Sequence, residues 1–128
     1  MSKPETGSRN SWVNKFRCAF RGAKLGVRGQ SSFSVHFFVA AVVIAAALAL
    51  GATIVDWCLL LGCITIVLSV EMVNSALEQL AKAVDDRPNI HIRDALDIGS
   101  GAVLVASIGA MVIGAVVFLN LLAQNLNW

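Results

Sequence analysis

The sequence predicts an all-α membrane protein, a bundle of three transmembrane helices preceded by an amphipathic helix on the membrane surface. Three observations carry this reading. The 128-residue chain is 57% hydrophobic and only 14% charged, against roughly 45–50% apolar residues in a soluble domain. Apolar runs cover 33–50, 54–70 and 98–122, each close to the roughly 17–25 residues that cross a bilayer core as a helix. Basic residues gather before the first run and around the break that precedes the third, the asymmetry that orients membrane helices. A soluble bundle is excluded, because three such runs leave too little polar surface to cover them.

Residues 1–32 form the first unit expected. Val13, Phe16, Phe20, Ala23 and Val27 recur at steps of three and four, and Arg17, Arg21, Lys24 and Arg28 follow one residue behind. This spacing gives an apolar helical stripe flanked by cations, suited to an anionic membrane surface. About thirty polar and basic residues precede the first apolar run without a cleavage-site pattern, which argues against a signal peptide. The glycine-containing stretch 22–32 lacks the spacing of a phosphate-binding loop and any strand before it.

Residues 33–122 form the membrane domain, with spans at about 33–50, 54–82 and 92–122. The second run passes without a turn signal into SVEMVNSALEQLAKAVDD, residues 69–86. Glu71, Asn74, Glu78 and Lys82 are spaced by 3, 4 and 4 residues and, with Ser75, fall within about 100° on a helix. Met72, Val73, Ala76, Leu77, Leu80 and Ala81 occupy the other side, so the polar groups form a stripe. An ionisable group at the membrane boundary is costly and marks a functional site. The competing reading is a solvated helix end with a Glu78–Lys82 pair at i,i+4.

At the entrance to the third span, HIRDALDIGSGAVL places Arg93 and Asp97 one turn apart, with Asp94 between them. Two acid-bearing helices therefore reach the same membrane face. Carboxylates beside an Asn amide suit Mg²⁺, which uses few protein ligands and completes its shell with water and phosphate oxygens. Ala102, Ala106, Ala110 and Gly114 make a small-residue seam that permits close helix approach. Three helices scarcely enclose a site, so an oligomer with shared sites is expected. The positive-inside rule puts the N-terminus and the second break in the cytoplasm, in a multi-pass protein of the cell (inner) membrane. Cys18, Cys58 and Cys63 show no ligand spacing and read as packing residues.

Read together, VEMVNSALE, ALDIGSGAVLVAS, AFRG at residues 19–22 and SSFSVH ending at His36 resemble the prokaryotic diacylglycerol kinase and undecaprenol kinase family, over about residues 15–120. The resemblance implies a membrane homotrimer that transfers the γ-phosphate of Mg-ATP to a lipid hydroxyl at the cytoplasmic interface. Carried over by position, Glu71 is the base and Asn74 orients the reacting groups. Glu78 holds the metal and Asp97 supports the nucleotide site. The lipid is diacylglycerol, giving phosphatidic acid, or alternatively undecaprenol; no nucleic acid is involved.

Three positions depart from the family pattern. Gln30 stands where a metal-binding Glu is usual; a Gln carbonyl can still ligate Mg²⁺, but it brings no charge. Leu96 replaces the Lys before Asp97, and Lys82 replaces an acid one turn after Glu78. Retention of Glu71, Asn74, Glu78 and Asp97 favours relocation of the phosphate-facing cation to Arg93 or Lys82 over decay of the site. The rival readings are a catalytically impaired member and a non-catalytic membrane subunit or channel with Glu71 and Asp97 lining a polar path.

Overall fold

A computed structural model of the protein describes residues 8–28, 31–84 and 87–127. All regular structure among them is helical: α1 (Ser8–Arg28), α2 (Ser31–Leu50), α3 (Ile54–Val84) and α4 (Ile90–Asn125). The helix α1 belongs to one compact unit and α2–α4 to another. Within α1, Trp12, Phe16 and Phe20 are exposed, and the Lys15 ammonium sits 4.8 Å from the centroid of the Trp12 ring.

The three helices α2, α3 and α4 are each long and apolar enough to span a membrane, and their ends are set by local chemistry. Gly51 adopts φ +71°, the left-handed conformation that costs a residue without Cβ nothing. Its N–H donates to the Leu48 carbonyl, and the Ala52 N–H donates to that of Ala47 at 3.0 Å. This is a Schellman closure, which satisfies the last carbonyls of α2. Two residues on, the Thr53 Oγ1 accepts from the Asp56 N–H while Asp56 Oδ2 accepts from the Thr53 N–H at 2.9 Å. This reciprocal capping box starts α3 and accounts for the buried Asp56. Asn89 caps α4, its Oδ1 accepting from the His91 and Ile92 N–H groups.

The bundle is tightest at the turn end. Ala47, Leu60, Val117 and Leu121 form its core, with Val43, Trp57 and Phe118 packed around them. There Asn125 donates from Nδ2 to the carbonyls of Leu121 and Leu50, at 2.8 and 3.0 Å, and so ties the end of α4 to the end of α2. The most extensive interface joins α3 and α4. On α4 the residues turned inward are Leu96, Gly99, Val103, Ala106, Ala110, Gly114, Val117 and Leu121, at steps of three and four that keep one helical face against its neighbours.

Large apolar side chains cover the outside of all three spans, among them Val42, Leu59, Ile66, Leu104 and Met111. A belt of this extent on helices of this length belongs in hydrocarbon rather than water. Towards the other end the helices enclose less, and an apolar cavity of about 500 Å³ opens between α2, α3 and α4, running from Val35 and His36 past Cys63 and Ile64 to Phe118. At its Ala110 and Gly114 end the expected small-residue seam is not in close helix contact within the chain. Ala110 and Gly114 line this cavity, and a Cβ on Gly114 would meet nothing within 4 Å.

Candidate functional site

The polar stripe of α3 turns into the bundle. Glu71 is 4% exposed, Ser75 5% and Asn74 8%, although all three lie on a helix whose other flank is apolar and open. The Ser75 hydroxyl donates to the backbone carbonyl of Glu71 at 3.0 Å, the usual solution for a hydroxyl inside a helix. Asn74 Nδ2 donates to Glu78 Oε1 at 3.4 Å across one turn, so the two residues form one polar unit. Glu78 is partly buried, and Lys82, a turn further, is exposed.

Two residues from neighbouring helices complete this arrangement. From α2, His36 Nε2 stands 3.6 Å from Glu71 Oε2. From α4, Gly99 meets Asn74: a Cβ built on it would lie 2.5 Å from Asn74 Oδ1 and 3.0 Å from Leu77 Cδ1. Helices α3 and α4 are thus in backbone-to-side-chain contact at Gly99, an approach only glycine permits. Asn74 Oδ1 is buried with no hydrogen-bond partner among the described residues. Glu78 holds the other side of that amide, which fixes the oxygen against Gly99.

The residues expected on α4 lie elsewhere. Arg93, Asp94 and Asp97 are exposed. Asp97 is two residues from Gly99, about 200° around the helix, whereas Leu96 is three residues away and about 60° from it. Leu96 therefore shares the face that meets α3, and Arg93 and Asp97 share the open one. Within one chain Glu71, Asn74 and Glu78 share the inward face of α3, while Asp97, Arg93 and Lys82 are exposed. Gln30 lies outside the described residues.

The sequence motifs gave no role to His36, named only as the end of SSFSVH, or to Gly99. An ionisable residue three positions into the first apolar run was the available signal for His36. For Gly99 the signal was a glycine inside a helical pattern, which asks for a packing reason. Among the described residues no three His, Cys, Asp or Glu side chains gather as a ready metal cluster. Glu78, only partly buried, nonetheless suits a Mg²⁺ site of few protein ligands, where phosphates and water supply the remaining oxygens; the Asn74 oxygen, held against Gly99 on the far side of its amide, does not face the same point.

Compared with known proteins, residues 17–118 match the family model described as prokaryotic diacylglycerol kinase. The chain is also similar to the undecaprenol kinase of Bacillus subtilis (strain 168), with 26% identity over 118 residues covering 92% of this chain and 96% of that protein.

The Asn74–Gly99 contact yields a stability prediction with its own control. Gly99→Ala forces Asn74 and Leu77 to move and should destabilise the bundle by about 1–3 kcal/mol, the usual cost of overpacking. Gly101→Ala, with nothing within 4 Å of its new Cβ, should be neutral or gain up to about 1 kcal/mol from helix propensity. Thermal unfolding of both variants in detergent checks the pair. Equal effects would show that Gly99 is an ordinary helix glycine.

Proposed function

Because the chain belongs to the prokaryotic diacylglycerol kinase family and is a lipid kinase, we propose that it transfers the γ-phosphate of ATP to the hydroxyl of a membrane lipid alcohol. The observation that supports the site assignment is the burial of Glu71 one turn beyond Val67 and Leu68, and beside His36, which line an apolar cavity between three spans. A carboxylate there is expensive to keep, and it stands where a lipid with its tails in the cavity presents its hydroxyl.

The chemistry follows from these positions. Glu71 accepts the hydroxyl proton, the alcohol oxygen forms a bond to the γ-phosphorus, the bond from that phosphorus to the β,γ-bridging oxygen breaks, and ADP leaves. Asn74 orients the reacting groups. Glu78, with Gln30 by carry-over, would hold Mg²⁺, which when bound neutralises phosphate charge. Most of the catalysis is positioning and charge neutralisation. Asp97 supports the nucleotide, and Arg93 and Lys82 supply the phosphate-facing cations. Since these three lie on open surface of one chain, their place in the reaction calls for a site completed by a neighbouring copy, in keeping with a homotrimer.

The excess of Lys and Arg before α2 and between α3 and α4 favours an N-terminus and an α3–α4 connection in the cytoplasm, where ATP is available. In this topology α1 lies on the inner membrane surface, its exposed Trp12, Phe16 and Phe20 in the lipid and Arg17, Arg21 and Lys24 among anionic headgroups. Two lipid alcohols fit the apolar cavity. Diacylglycerol follows the family description, and undecaprenol is favoured by the similarity to the Bacillus subtilis protein. Assaying purified protein with radiolabelled ATP against both alcohols separates them; labelling of neither would refute the proposal.

Glu71→Gln keeps the size of the side chain but cannot accept the proton, so it should cut turnover by about 10²–10⁴-fold with the assembly intact. Near-full activity of this variant, with chemistry limiting, would remove Glu71 as base. For the cations, Arg93→Ala should weaken use of ATP about ten- to hundredfold, the worth of a charge-assisted contact of about 1.5–3 kcal/mol. Leu96→Lys in that background should restore part of it. Loss of ATP dependence in Lys82→Ala but not in Arg93→Ala would move the cation to α3.

A further inference from the structure

His36 has no part in the scheme above. The wall of the cavity is apolar at Val43, Leu60 and Phe118, and at the opposite end His36 presents an imidazole. Glu71 lies on α3 one turn beyond the lining residues Val67 and Leu68. The helix α2 carries no titratable side chain other than His36. Those of α4, His91, Arg93, Asp94 and Asp97, are exposed, and the next one along α3 towards the polar end is Glu78, two turns away. The imidazole and carboxylate therefore meet where the apolar wall ends.

His36 Nε2 and Glu71 Oε2 stand 3.6 Å apart, so a hydroxyl oxygen lying beside the pair is within hydrogen-bond reach of both. A hydroxyl suits the two groups chemically. Its oxygen accepts from an imidazole N–H and its hydrogen is given to a carboxylate, whereas water or a phosphate oxygen has no cause to arrive from the apolar side. His36 is also 23% exposed at its side chain, which leaves it accessible to a molecule in the cavity.

We propose that His36 and Glu71 together receive the hydroxyl of the lipid alcohol, the Nε2–H of His36 donating to its oxygen while Glu71 takes its proton. His36 is then a lipid-binding residue that aims the oxygen lone pair away from the imidazole and towards the phosphate. The inference rests on the reading of Glu71 as the base.

The test uses the full-length protein in mixed micelles, with initial rates measured against ATP and against a diacylglycerol and a polyprenol separately. His36→Leu should lower kcat/KM for the lipid by about tenfold or more, the scale of a lost hydrogen bond in a polar site, while the KM for ATP stays within about twofold. His36→Gln keeps an N–H donor at similar reach and should regain part of the loss. Size-exclusion chromatography checks assembly, and if His36→Leu does not assemble, His36→Ala takes its place. Parallel changes in the lipid and ATP constants, wild-type kinetics, or a Gln variant no better than Leu would each overturn the proposal. Glu71→Gln run beside them separates the two readings. If it retains full activity, the base assignment fails and this inference with it; if it is inactive and the His36 variants do not discriminate lipid from ATP, the inference about His36 alone fails.

Discussion

The polar end of the bundle depends on the contact between Asn74 and Gly99. A Cβ on Gly99 would stand 2.5 Å from Asn74 Oδ1, so α3 and α4 can approach this closely only because α4 has no side chain there. That approach sets the rotation of α3 about its own axis. With Asn74 held against α4, Glu71, three residues before it, is turned towards α2, where it faces His36. Glu78, four residues after it, is placed beside the same amide. The direction of the stripe, and hence which of its groups are buried, follows from one missing methyl group.

The two ends of the bundle handle polar groups in opposite ways. At the turn end every device is local or closes a carbonyl: the Schellman closure at Gly51, the Thr53–Asp56 box, and the Asn125 amide bridging Leu121 and Leu50. Such satisfaction is what a hydrocarbon environment demands of backbone groups, and it produces a rigid, fully packed corner around Ala47, Leu60, Val117 and Leu121. At the other end a buried amide oxygen has no partner among the described residues, and an imidazole stands 3.6 Å from a buried carboxylate. An unmade bond such as that of the amide carries a cost. It falls at the end where the cavity meets the polar stripe, which on the proposed reading is where local rules are relaxed for function rather than for packing.

Much of this was legible in the sequence, for identifiable reasons. Three long apolar helices were readable because bilayer thickness fixes the length such a run must reach, and α2, α3 and α4 are each long and apolar enough to span. The Glu71–Asn74–Glu78 stripe was readable because helical period alone puts these groups on one face. What the period does not reveal is which way a face points. Arg93 and Asp97 do share a face, as their spacing requires, but it is the open one, and the inward face passes through Leu96 and Gly99. The small-residue seam is real in its spacing, yet within one chain Ala110 and Gly114 border a cavity. The close approach fell instead at a glycine whose partner lies twenty-five positions earlier in the chain.

The departures at Leu96 and Lys82 acquire a physical sense from this geometry. Leu96 lies about 60° from Gly99 on α4, on the face packed towards α3, and is itself partly buried. A lysine at that position would bring its charge into the α3–α4 interface near Glu78, where its cost would have to be offset by the carboxylates of α3. Leucine removes that charge from the interface. Lys82 stands on the same side of α3 as Glu78 but one turn further out and exposed, so a cation there retains its hydration. Relative to the family pattern, the two departures remove a positive charge from the packed side of α4 and put a cation in place of an acid at the solvent end of α3, so local net charge rises while the interface itself loses a charge. On the function proposed above, a cation one turn further out meets phosphates that arrive from water, and the acids of α3 keep fewer charged neighbours inside the bundle.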